Sequence, residues 1–156
     1  MGALVYPPEV MAQAAWRHVR WAHADWRLLA RDDAGTVVST VSGYLRDATL
    51  DGQPVRLGGI GSVMTHPAHR RQGLVRASFD RALHLFAEAG CELAMLVCES
   101  HNVPVYHALG WEFFWGSTVV RQPHGPVVFH LMHAMTLGIT RPAPTGGLLD
   151  LCGEPW

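Results

Sequence analysis

A basic, glycine-bearing loop at positions 70–75, Arg-Arg-Gln-Gly-Leu-Val, is the segment best suited to chemistry in this sequence. It lies between a predicted strand that ends at Thr65 and a predicted helix that begins at Gly73. A helix N-terminus attracts anions because its first N–H groups are unpaired and the helix dipole is positive there. Arg70 and Arg71 add charge for phosphate oxygens, and Gly73 allows close backbone approach. The loop indicates a phosphate site, although a helix that merely starts with two solvated arginines explains it equally well.

A second motif, Tyr-His-Ala-Leu-Gly-Trp, occupies positions 106–111, after a predicted helix and an apolar strand. The loop, the Val-x-x-His-Pro segment at 63–67 and this motif follow one another as in the GNAT superfamily of acyl-CoA-dependent N-acetyltransferases. Over roughly residues 36–120 the sequence resembles that superfamily. The resemblance implies an α/β fold with a mixed, mostly antiparallel sheet around a central strand–helix–strand unit that binds acyl-CoA. The region before the first strand is shorter than the family usually has.

The resemblance assigns the cofactor contacts to two backbone segments. The backbone of the strand end pairs with the pantetheine arm of acetyl-CoA, and the loop amides hold its pyrophosphate; these residues are Val63, Met64, Thr65, Arg70, Arg71, Gln72, Gly73, Leu74 and Val75. Three glycines in the same strand, Gly58, Gly59 and Gly61, fit a cofactor that wedges between separating strands. Val75 departs from the family's Gly or Ala, so its side chain either crowds the pyrophosphate or packs into the core.

The resemblance also suggests the catalytic groups. Tyr106 matches the tyrosine that protonates the departing CoA thiolate in many relatives, and a phenol hydroxyl can act as a general acid. Its alternative role is packing beneath the cofactor. Many relatives supply a glutamate base from the strand before the loop, but residues 59–62 here are Gly-Ile-Gly-Ser. Glu99 is the best remaining carboxylate and His101 the imidazole alternative, while a solvated loop position explains either residue.

The last eight residues, Leu-Asp-Leu-Cys-Gly-Glu-Pro-Trp, are similar to the C-terminus of aminoglycoside 2′-N-acetyltransferases. Glu154 and Trp156 match positions that contact the cationic sugar in that branch, through an acid and the terminal carboxylate. Asp150 and Glu154 would suit a polyamine-like substrate, whereas a short tail that packs one Trp explains them equally well.

These features favour direct transfer of an acetyl group from acetyl-CoA to a primary amine. An aminoglycoside-like amino sugar is the favoured acceptor. The alternatives are a peptide or another small-molecule amine as acceptor, and a non-catalytic acyl-CoA-binding module.

The elements that must position these residues follow from periodicity and turn signals. The helix at 73–89 has one apolar stripe and Gly90 as its C′ residue, and the apolar run at 93–98 is typical of a central strand. The other predicted elements are helices at 8–20 and 103–109, strands at 25–30, 36–44, 55–65, 113–120 and 127–132, and an irregular tail at 140–156.

Composition limits the class of protein. With 156 residues, 49% hydrophobic residues and a net charge of −1, the chain predicts one domain over residues 1–156 and argues against disorder and nucleic-acid binding. Its three cysteines lack CxxC spacing, and no stretch is long and apolar enough for a membrane span. The N-terminus lacks a secretory signal, so a cytoplasmic protein is expected. The ten histidines predict no metal site, and the resemblance allows a homodimer.

Overall fold

A nine-stranded, mostly antiparallel sheet forms the centre of the computed structural model, which describes residues 5–156. The strands run in the order β5-β8-β4-β3-β2-β9-β6-β7, and β1 also pairs with β2. Only β3–β4 and β6–β9 are parallel pairs among the described strands. The predicted mixed α/β fold is confirmed. The elements are α1 (Pro8–Gln13), β1 (Trp26–Arg31), β2 (Val37–Leu50), β3 (Gln53–Thr65), α2 (Leu74–Glu88), β4 (Leu93–Cys98), α3 (Val103–His107), β5 (Glu112–Phe113), β6 (Ser117–Gln122), β7 (Gly125–Val128), β8 (His133–Gly138) and β9 (Leu148–Asp150).

Strands β2 and β3 form a long hairpin closed at Asp51 and Gly52. Both turn residues have positive φ, 51° and 78°, which matches the twist of the adjoining strands. The β-branched residues of the sequence predict a strand at 36–44, but β2 continues to Leu50. In the structure Asp47 and Arg56 are cross-strand partners joined at 2.7 Å, so the ladder continues to the turn.

Helix α2 covers one face of the sheet, as its apolar stripe predicts. Phe79, Ala82 and Phe86 are almost completely buried there. A Cβ on Gly58 would overlap the ring of Phe86, so this glycine lets the helix lie close to β3. The helix begins after Gly73, at φ 77°, and Gly90 follows its end at φ 75°. The packing of α2 on β3 therefore fixes the position of the loop that precedes the helix.

Three sequence predictions are wrong in the second half of the chain. The strand predicted at 113–120 is interrupted, and its two parts lie far apart in the sheet as β5 and β6. The strand predicted at 127–132 ends at Val128, and the next strand, β8, pairs with β4 along its whole length. The tail also contains one short strand, β9. The sequence did not show β8 because His133, Thr136 and Gly138 interrupt its apolar pattern.

The helix predicted at 8–20 is also wrong, because α1 ends at Gln13 and Ala14 is extended. Contacts with distant parts of the chain hold the following segment: Ala22 N–H donates to Pro155 O at 2.7 Å, and Arg20 N–H donates to Gln122 Oε1 at 2.9 Å. Predictions that involve residues 1–4, including the absence of a targeting segment, lie outside the described residues. Among the described helices, none is long and apolar enough to cross a membrane.

Candidate active site

A cleft of about 980 Å³ opens where β3 and β4 separate. The two strands pair in parallel from Leu57–Leu93 to Ile60–Leu96, but β3 continues to Thr65 and β4 to Cys98 without further mutual pairing. Each strand stays paired with its other neighbour, β2 or β8. The edge of β3 from residue 61 to residue 65 therefore presents backbone groups that an extended ligand can pair with.

A β-bulge lies at the start of this free edge. Thr40 pairs with Met64, and Ser42 pairs with Gly61. Two residues lie between these pairs on β3, whereas only one residue lies between them on β2. The extra residue falls at Ser62, which has a left-handed φ of 48°. A bulge bends its strand and increases the local twist. It therefore turns β3 at the point where β3 leaves β4.

The predicted phosphate loop lies at one end of the cleft. Arg71 and Gly73 both have positive φ, 61° and 77°, and no side chain caps the N-terminus of α2. The N–H groups of the first helical turn are thus available to a ligand. The cleft lining includes all of the loop residues named above except Gln72. Val75 is partly buried: it packs against the core under α2 and also lines the cleft.

Tyr106 lies on α3 and contributes to the cleft. Its ring is half-buried and stacks on Phe79, with centroids 5.9 Å apart and planes at 4°. Burial raises the pKa of the phenol well above its usual value, and Cys98 and Tyr6 act in the same direction. The hydroxyl makes no hydrogen bond to any other described residue. The phenol is therefore protonated at neutral pH, and its hydroxyl is free to contact a ligand in the cleft.

Glu99 follows β4 and also lines the cleft. Its Oε1 accepts a hydrogen bond from Trp16 Nε1 at 3.2 Å, and its Oε2 lies 3.7 Å from His101 Nδ1. The carboxylate raises the pKa of neighbouring Tyr6 and Cys98, to about 11 for Cys98, with burial as the larger cause in both. The predicted acid and base thus lie in the same cleft.

An aromatic wall, defined as Tyr6, Trp16 and Trp21, also lines the cleft. The rings meet edge to face, with Tyr6–Trp16 centroids 6.1 Å apart and Trp16–Trp21 centroids 6.2 Å apart. The helix predicted at 8–20 includes Trp16, but in the structure this residue follows the end of α1 at Gln13. One signal was available: tryptophans five residues apart point about 140° apart on a helix and cannot share one face.

Trp156 lies in the cleft lining, but its ring is 5% exposed and serves the core. Its Nε1 donates to Met95 O at 3.3 Å, and its ring stacks on Tyr44 at 5.6 Å. A Cβ on Gly59 would overlap this indole ring, and a Cβ on Gly61 would lie 3.2 Å from the Trp156 carbonyl carbon. The glycines Gly58 and Gly59 therefore make room for the protein's own rings. Gly61 lines the cleft, so the accommodation of a cofactor beside this glycine stays a prediction.

The acidic residues of the tail are paired with arginines. Glu154 Oε1 lies 2.5 Å from Arg20 Nε, outside the cleft lining. Asp150 Oδ2 lies 2.8 Å from Arg121 Nη2, and this hydrogen bond is the main cause of the lowered pKa of Asp150. The predicted substrate contacts, Glu154 and Trp156, are thus engaged by the protein itself.

The histidines are distributed over several local contacts. His66 Nδ1 accepts from Ala68 N–H at 3.2 Å, and His133 Nε2 lies 2.8 Å from Ser100 Oγ. Within residues 5–156, no group of three or more His, Cys, Asp or Glu side chains is placed to hold a metal ion.

The fold and the site together define an α/β domain in which a parallel strand pair opens beside a helix N-terminus, a buried tyrosine and a carboxylate. A family model described as an acetyltransferase (GNAT) domain matches residues 3–114. The chain therefore belongs to the GNAT acetyltransferases, as its motifs predicted. The aminoglycoside branch stays a prediction. A comparison with curated proteins gave no match.

Solved structures share this fold at low sequence identity. The GNAT family N-acetyltransferase YhbS from Escherichia coli, in complex with CoA, is 18% identical to this chain. The matched region covers 82% of this chain and 67% of YhbS, with a TM-score of 0.57. A GNAT acetyltransferase from Staphylococcus aureus Mu50 is 13% identical, with coverages of 72% and 66% and a TM-score of 0.52. The acetyltransferase yncA from Salmonella typhimurium, with acetyl-CoA, is 20% identical, with coverages of 74% and 65% and a TM-score of 0.50. The chain spans about two thirds of these three structures and about a fifth of several longer matched chains.

Proposed function

We propose that this protein is an acetyl-CoA-dependent N-acetyltransferase that transfers the acetyl group directly to a primary amine. One observation carries the proposal: the unpaired edge of β3, the uncapped N-terminus of α2, Tyr106 and Glu99 all face the same cleft. Family membership supports the reaction class, and the CoA and acetyl-CoA in two structures of this fold support the cofactor.

The cofactor would extend along the free edge of β3. The amide groups of its pantetheine arm pair with the backbone of Val63 to Thr65, and its pyrophosphate lies at the N-terminus of α2. Arg70 and Arg71 line this end of the cleft and supply positive charge for the phosphates. The thioester carbonyl would then lie between Tyr106 and Glu99.

The transfer removes two protons from the acceptor nitrogen and supplies one to the CoA sulfur. Glu99 takes the first proton from the ammonium form of the acceptor, directly or through a water molecule, and the neutral amine attacks the thioester carbonyl carbon. A C–N bond forms, and the nitrogen of the tetrahedral intermediate loses its second proton to water in the open cleft. The C–S bond then breaks, and the thiolate of CoA takes the proton of Tyr106, so the products are an acetamide and free CoA thiol. Transfer of the proton held by Glu99 to the Tyr106 phenolate through solvent restores both groups.

The C-terminal motif favours an aminoglycoside-like amino sugar as the acceptor. Such a polycation calls for several carboxylates around the acceptor site, but Glu154 and Asp150 are paired with arginines. Amino sugars are therefore tested as acceptors together with peptides and smaller amines. A non-catalytic acyl-CoA-binding module is the second candidate, because residues 59–62 of β3 offer no acid.

The decisive experiment measures CoA thiol released from acetyl-CoA in the presence of amino sugars, polyamines, peptides and small monoamines. Tyr106→Phe should lower kcat by about 10²-fold, the effect expected of a lost general acid, while the Kd of acetyl-CoA is unchanged. Tyr44→Phe is the matched control, since Tyr44 lies outside the cleft lining. Turnover unaffected by Tyr106→Phe would exclude its role as the acid. Acetyl-CoA binding without transfer to any amine would favour the binding module.

A further inference from the structure

The aromatic wall and Glu99 form one continuous compartment of the cleft. The rings of Tyr6 and Trp16 stand nearly perpendicular, at 87°, and those of Trp16 and Trp21 at 77°. Trp16 Nε1 donates its hydrogen bond to the carboxylate at 3.2 Å, so the edge of the indole ring is held beside a negative charge. An aromatic ring whose edge is tied to a carboxylate is a good environment for an organic cation, because the carboxylate and the ring faces both attract it.

Acidic side chains are scarce in this compartment. Among the described lining residues, Glu99 is the only Asp or Glu, and the arginines of the lining belong to the predicted phosphate loop and the start of α2. The two acids of the tail are paired with Arg20 and Arg121. A second or third ammonium group on an acceptor would therefore find no further acidic side chain in the described lining, and its desolvation would be costly.

The geometry points to an amine acceptor that carries one positive charge on a flat apolar or aromatic body, bound with its body against Trp16 and Tyr6 and its amine at Glu99. This inference rests on the proposed function for the direction of the amine, toward the thioester beside Tyr106. The proposed function gives the aromatic wall no role, whereas here the wall recognises the apolar body of the acceptor.

The test is calorimetric binding of three probes to the protein, both free and loaded with CoA. 2-Phenylethylamine has one charge and a ring, ethanolamine one charge and no ring, and spermidine several charges and no ring. We expect 2-phenylethylamine to bind at least about tenfold more tightly than the other two probes. Trp16→Leu should weaken its binding about tenfold, mainly as a rise in KM when acetylation is followed.

Matched variants separate recognition from folding. Trp115 is 79% exposed and outside the cleft, so Trp115→Leu should leave the affinity for 2-phenylethylamine unchanged. Trp16→Phe keeps an aromatic face and should retain affinity within about threefold, whereas Glu99→Gln removes the charge and should cost about tenfold. An unchanged Kd of acetyl-CoA shows that Trp16→Leu is folded; if that variant does not fold, Trp16→Phe and Glu99→Gln decide.

The outcomes distinguish the inference from the proposed function. Equal or tighter binding of spermidine or ethanolamine, or no effect of Trp16→Leu and Glu99→Gln, would overturn the inference and leave acetyl transfer standing. Tight, Trp16-dependent binding of 2-phenylethylamine without acetylation of any amine would support the inference and remove the proposed transferase activity.

Discussion

Tyr106 and Glu99, the proposed acid and base, lie in one cleft but in different environments. Tyr106 is stacked on Phe79 and half-buried, and this burial keeps its proton in place. Glu99 has a side chain that is 44% exposed and is oriented by the Trp16 indole. Environments that separate the protonation of two neighbouring groups are the usual basis for assigning an acid and a base.

The raised pKa of Tyr106 leads to a pH prediction. An ordinary phenol loses its proton near pH 10, but burial raises this pKa, so the protonated acid persists as the pH rises through that value. We expect kcat at saturating amine to show no alkaline loss below about pH 10. The measurement is a kcat profile from pH 7 to 10 for the wild type. A falling limb with a midpoint below pH 10 that disappears in Tyr106→Phe would contradict the assignment.

At the scale of elements, β3 performs two tasks along one strand. Its first half packs between α2 and Trp156, and its second half leaves β4 to form the edge of the cleft. The change occurs at Gly61 and Ser62, where the bulge lies. The packing half must therefore stay rigid for the free edge to be presented correctly.

Gly59→Ala tests this packing. The added methyl group would overlap the Trp156 ring, so we expect the free energy of unfolding to fall by roughly 1–3 kcal/mol, the usual cost of overpacking. Urea unfolding measures the change. Gly146→Ala is the control, because a Cβ there meets nothing within 4 Å, and it should change stability by less than about 0.5 kcal/mol. Equal stability of the two variants would show that Trp156 can move aside.

Strands β6 and β9 are joined by the ion pair between Arg121 and Asp150. This pair lowers the pKa of Asp150, so its contribution to stability is present above about pH 4, the unfolded value, and is lost as the pH falls through the lower folded value. Asp150→Asn should reduce the free energy of unfolding by about 1 kcal/mol at pH 7. Urea unfolding at pH 7 and at pH 3 checks this. A deficit that fails to shrink at pH 3 would exclude the ion pair as its cause.

The sequence predicted elements whose signals are local. The apolar stripe of α2, the run of β4 and the glycines at 73, 90 and 110 each act within a few residues, and these elements are where they were expected. Tyr106 and the phosphate loop followed from a recognisable order of motifs. Strand β8 and the aromatic wall were missed because they depend on partners far along the chain, such as β4 for β8 and Glu99 for Trp16.

At the scale of the whole molecule, the open sheet contains one stretch of unpaired backbone that faces the cleft. The amides of β3 from residue 61 to 65 that face away from β2 have no strand partner there. With acetyl-CoA at 100 times its Kd, we expect slower hydrogen exchange at these amides, by up to about 100-fold. Amides of Leu93–Leu96, already paired with β8, serve as the internal control. Acetyl-CoA binding without protection at 61–65 would place the pantetheine arm elsewhere.

The two sides of the cleft come from separate parts of the chain. The side proposed for the cofactor is built from one continuous stretch, from β3 through α3, whereas the aromatic wall comes from residues 6–21 and is tied down by Glu154 and Pro155. Substitutions in the wall can therefore change which molecule is accepted while the strands, loop and tyrosine of the other side keep their contacts. Such a division allows selection to alter specificity and preserve chemistry, since the two properties are encoded in different segments.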